Sequence, residues 1–76
     1  MKVEVYYTGG GITIAEAEVD PKTVAVVTSE APEFLSLYKK DHEGYLPENM
    51  LASKPMDELD EKLKALHAEM VDKLNG

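Results

Sequence analysis

The sequence predicts a small α+β domain: an antiparallel three-stranded sheet formed as an N-terminal meander, with a C-terminal amphipathic helix packed on one face and a short helix or irregular loop between them. Three observations carry that prediction. Runs rich in β-branched and aromatic residues fill the first third of the chain. The clusters Gly9-Gly10-Gly11 and Asp20-Pro21-Lys22 punctuate those runs as turns. Near the C-terminus, Met56, Leu59, Leu63, Leu66, Met70 and Leu74 recur at spacings of three and four, which makes one apolar helical stripe.

The first strand is placed at residues 2–7, where Val3, Val5 and Tyr7 alternate with Lys2, Glu4 and Tyr6. The second is placed at 12–19. A two-residue hairpin loop at Gly9-Gly10 suits a primed turn and sets Tyr7 opposite Ile12, Val5 opposite Ile14 and Val3 opposite Glu16. In that register Val3, Val5, Tyr7, Ile12 and Ile14 share one face. Ala15, Ala17 and Val19 join Tyr6 on the other, so both faces are partly apolar.

The three glycines also invite a phosphate-binding reading. A P-loop needs Lys followed by Ser or Thr after its last glycine, then a helix whose N-terminus meets the anion. Here Gly11 is followed by Ile12-Thr13-Ile14, a β-branched run that favours strand. The cluster is therefore read as a turn.

A third strand is expected at 23–28, "TVAVVT". Pro21 holds φ near −65° and cannot take the first central position of a primed turn, which implies a loop longer than two residues before this strand. In "SEAPEFLSLYKK" the residues Phe34, Leu35, Leu37 and Tyr38 fall at i, i+1, i+3 and i+4, which fits a short helix over 32–40 with Pro32 in its first turn, although a run this short also fits an extended segment. Residues 41–53 mix Gly44 and Pro47 with Tyr45, Leu46, Met50 and Leu51 and read as a loop with an embedded turn.

The C-terminal helix is expected at 57–74. Asp57, Glu58, Asp60 and Glu61 crowd its start and Lys73 sits in its last turn, which complements the helix dipole. Asp57 and Asp60 are both candidate N-caps. The stripe is shorter than a sustained coiled coil needs, and the sheet requires a cover, so packing within the chain is expected ahead of a dimer seam.

The 76 residues read as a single domain, 1–76, with a net charge of −7. All eight basic residues are lysines. A chain with no arginine lacks the planar fork that grips phosphates and guanine edges, and its charge repels nucleic acid, so no direct nucleic-acid binding is expected. The absence of Cys excludes disulfides, Cys-ligated metals and thiol nucleophiles. Nothing resembles a signal peptide or a membrane span, and the expectation is a soluble, cytoplasmic protein without membrane contact.

Chemistry has few footholds. Ser29, Ser36 and Ser53 lack the flanking glycines of a nucleophile elbow, and the carboxylates of the helix start are a solvated first turn. The competing reading is a metal-binding protein or enzyme in which Asp41, His42 and Glu43 meet His67. No catalytic residue, metal or cofactor follows from the pattern. What the sequence favours is a small acidic, non-catalytic protein-interaction or regulatory module, meeting a protein partner or its own copy as a homodimer. The expected surface comprises Tyr6, Ala15, Ala17 and Val19 on the second sheet face with Tyr45 and Leu46 in the loop.

Overall fold

The computed structural model describes residues 2–40 and 47–76. Among them, five strands form one antiparallel sheet in sequential order: β1 (Val3–Tyr7), β2 (Thr13–Asp20), β3 (Thr23–Thr28), β4 (Phe34–Lys39) and β5 (Met50–Pro55). One helix, α1 (Glu61–Asn75), lies across one face, against β1, β2 and β3. The three-stranded sheet expected from the sequence is thus corrected to five strands, while the α+β class and the C-terminal helix stand. No helix among the described residues is long and apolar enough to cross a membrane.

The first hairpin differs from expectation by one residue. Val5 pairs with Ala15 and Tyr7 with Thr13, and the Thr8 N–H donates to the Ile12 carbonyl at 3.0 Å, so the loop is Gly9-Gly10-Gly11. Gly9 and Gly11 have φ of 83° and 87°, a region that side chains with a Cβ rarely adopt. Because side chains alternate along a strand, this slip moves the whole apolar set of β2 to the other face. Ala15 and Ala17 point under α1 with Val3, and Ile14 turns to the opposite side.

The second hairpin turns through Pro21-Lys22 alone, shorter than expected. Asp20 pairs with Thr23, the Lys22 N–H donates to the Asp20 side chain at 2.8 Å, and no non-glycine φ is positive. The turn is therefore unprimed. A bulge between Glu18 and Asp20 supplies the extra twist that a primed turn otherwise provides.

Residues 34–39 form strand rather than helix. Four apolar residues over so short a run satisfy either period, and an isolated helix of that length is unstable in water. As a strand, the segment pairs with β3 and buries Leu35 on the helix face and Tyr38 on the other. The expected loop at 41–53 is replaced in its second half by a short turn at Pro47–Asn49 and β5; residues 41–46 lie outside the described residues.

The core is one layer of small strand residues under large helix residues. Ala15, Ala17, Ala25, Val27 and Leu35 meet Leu59, Leu66 and Met70, with Leu63, Val71 and Leu74 at the margin. The stripe from Leu59 to Leu74 thus packs inside the chain, while Met56, in the turn before the helix, stays exposed. Alanines at the centre of β2 let the helix approach the sheet closely. The helix starts later than expected because Asp60, not Asp57, is its N-cap: the Leu63 N–H donates to the Asp60 carboxylate at 2.8 Å. Met56–Glu58 form a separate single turn before it.

Candidate interaction surface

The two edges of the sheet differ in how they are finished. β5 carries Pro55, which has no N–H, a bulge beside Leu51, and Lys54 at the edge, all devices that blunt an edge against pairing. β1 has no proline and no bulge. Its backbone directions follow from the hairpin. The Thr8 to Ile12 hydrogen bond makes that pair face inward, so by alternation Tyr6 and Glu4 also turn their backbone groups toward β2. The N–H and C=O groups of Val3, Val5 and Tyr7 therefore point away from the sheet.

The side chains of this edge are apolar and accessible. Among the described residues, seven large hydrophobic side chains are exposed, and three of them are the consecutive Val5, Tyr6 and Tyr7, the last 67% exposed. Val5 and Tyr7 project to the helix side, beyond the part of the sheet that α1 covers. Tyr6 projects to the other side, where its hydroxyl donates to the Glu4 carboxylate. That hydrogen bond, aided by desolvation and by the charges of Glu4 and Glu16, pushes the Tyr6 phenol up to about 12. Glu4 lies directly opposite Glu16, and the Lys2 ammonium is 4.0 Å from Glu4.

The rest of the face opposite the helix is a second, smaller apolar cluster of Val24, Val26 and Tyr38, with Ile14 packed against it. Lys40 reaches back from the end of β4 to Glu18 at 2.6 Å, spanning Val24 between them. Phe34 and Met50 stand exposed at its margin.

A groove of about 570 Å³ opens beside the helix, lined by Pro32, Met56, His67, Val71 and Asn75 among others. His67 is 5% exposed, and its Nε2 lies 2.6 Å from the Pro32 carbonyl oxygen. A carbonyl only accepts, so Nε2 carries a proton and donates. His67 thus ties the helix to the loop before β4.

The residues singled out from the sequence are distributed unevenly over this surface. Tyr6 is on the exposed edge. Ala15 and Ala17 are 0% and 2% exposed beneath α1, and Val19 is half-buried against the same core, so the expected second face does not bring them together with Tyr6. Tyr45 and Leu46, like Asp41, His42 and Glu43, lie outside the described residues. Among the described residues no three side chains of metal-binding type converge. Val5 and Tyr7 share the helix side of the sheet with Val3 yet remain exposed. Their exposure follows from β1 being the outermost strand, a signal already present in the order of a meander. Comparison of the chain with protein-family models, with curated proteins and with solved structures finds no match.

Proposed function

We propose that this chain is a non-catalytic protein-interaction module that works in the cytoplasm and engages its partner by strand addition to β1. The observation that carries the reading is the coincidence on one edge strand of outward backbone groups at Val3, Val5 and Tyr7 with three consecutive exposed side chains, Val5, Tyr6 and Tyr7. Main-chain hydrogen bonds supply affinity in such an encounter, and alternate side chains supply selectivity. Tyrosines suit the task because they bring large contact area with few rotatable bonds.

The partner segment is an extended strand, from another protein or a second copy. Panning a library of displayed peptides against the chain, with hydrogen exchange on the resulting complexes, tests this. The expected result is enrichment of β-branched and aromatic peptides whose binding slows exchange at the Val3, Val5 and Tyr7 amides. Peptides that instead protect the groove beside His67, or a library that yields no binder to a chain that is monomeric under the panning conditions, overturn it.

A further inference from the structure

We infer that the strand added to β1 is β1 of a second copy, joined antiparallel about a two-fold axis through Val5, so that two five-stranded sheets become one. This rests on the strand-addition reading above and names its partner. Only residues whose backbone groups face outward can pair across the new junction, so Val3, Val5 and Tyr7 must meet one another and the permitted registers are those that set odd residues opposite odd.

Three two-fold registers satisfy this within the strand. Centring the axis on Glu4 sets Glu4 against the partner's Glu4, a like-charge pair directly opposed. Centring it on Tyr6 leaves only residues 5–7 paired. Centring it on Val5 pairs all five residues of the strand. Val5 then meets the partner's Val5, and Val3 meets the partner's Tyr7 on the helix side. Tyr6 meets the partner's Glu4 on the other side, so the two Glu4 carboxylates sit diagonally, each beside a neutral phenol and not directly opposite one another. The outward N–H and C=O groups of Val3, Val5 and Tyr7 are all satisfied, and the exposed faces of Val5 and Tyr7 are covered from both sides. C2 pairing is the commonest route to a soluble oligomer. Two copies at −7 each repel one another, so association strengthens as salt is raised.

The test is a charge-swap at the axis. Val5 is 43% exposed and lies outside the core cluster, so Val5→Lys and Val5→Glu leave each copy folded, which circular dichroism verifies. Sedimentation velocity across protein and salt concentration is expected to show the wild-type dimer, and each variant alone weakened by about tenfold or more, because like charges then face each other on the axis. Mixing the two variants restores association, since Lys meets Glu. Met50→Lys on the opposite edge leaves the dimer intact.

A wild-type chain that stays monomeric at high concentration in moderate salt overturns the inference, as does a dimer indifferent to Val5→Lys or a mixture that fails to reassociate. If the chain is monomeric while unrelated strand peptides still protect the Val3, Val5 and Tyr7 amides, self-pairing falls and strand addition stands. If the chain is monomeric and those peptides also fail to protect the amides, both fall.

Discussion

Nε2 of His67, in the middle of α1, donates to the carbonyl oxygen of Pro32 at 2.6 Å, and this bond spans 35 residues of sequence. Beside it the Met56 N–H donates to the Glu33 carbonyl at 2.9 Å, so two hydrogen bonds hold the loop before β4 to the C-terminal part of the chain. His67→Phe keeps most of the bulk and removes the donor, leaving a part-buried carbonyl unpaired. The expected loss is about 1–3 kcal/mol in urea unfolding. Wild-type stability in that variant would show that packing, not the hydrogen bond, fixes this corner.

The glycine loop divides into sensitive and tolerant positions. Gly9→Ala and Gly11→Ala each force a Cβ into positive φ and are expected to cost about 1–2 kcal/mol. Gly10 has no positive φ, and a Cβ there meets only the Thr8 hydroxyl at 3.9 Å. Gly10→Ala is therefore expected to be neutral or to stabilise by up to about 1 kcal/mol, through a less flexible unfolded chain. Equal losses at all three positions would contradict the three-residue loop.

Along the helix, Leu66 is buried and Leu63 is half-buried at the margin of the core. Leu66→Ala is expected to cost about 2–5 kcal/mol and Leu63→Ala distinctly less. Both losses should be independent of protein concentration, because the stripe is core. A loss at Leu66 that vanished at high protein concentration would mean that the stripe is completed by another copy.

The Tyr6 phenol, raised to about 12 by its hydrogen bond to Glu4, makes a signed pH prediction. The folded state holds this proton more tightly than the unfolded state does. Its contribution to stability is fully present below the ordinary tyrosine value of about 10 and is lost as pH climbs from there toward 12. An ultraviolet titration of wild type minus Tyr6→Phe isolates this group, and Glu4→Gln is expected to bring its midpoint down. A midpoint unchanged by Glu4→Gln would remove Glu4 as the cause.

Several elements were legible in the residues alone. The alternation of Val3, Val5 and Tyr7 fits a strand, the short β-branched run of β3 bounded by turn residues fits another, and the spacing of Leu63, Leu66, Met70 and Leu74 fits a helix; all three elements are present in the structure. Residues 34–38 were not legible, since Phe34, Leu35, Leu37 and Tyr38 fit a helix and a strand equally. Pairing with β3, which no local pattern reveals, decided for strand. The exposure of Tyr6 on β1 agrees with its place in the alternation, whereas the burial of Ala15 and Ala17 under α1 was not legible, because a single residue of loop length reverses which face they occupy.

By itself the sequence determined the α+β class, the meander at its start, the amphipathic helix at its end and the acidic balance of the whole, because each depends on local periodicity or on composition. Only the tertiary structure decided the register of β1 on β2, the fourth and fifth strands, and the choice of Asp60 over Asp57 as the helix cap. Those outcomes turn on which face is buried against α1 and which backbone groups find partners across the sheet. Both are properties of residues far apart in the chain. The same physics sets what β1 exposes: α1 lies over β1, β2 and β3 and packs on Val3, while Val5 and Tyr7 stay exposed on the outermost strand, whose odd-numbered residues turn their amides and carbonyls away from β2.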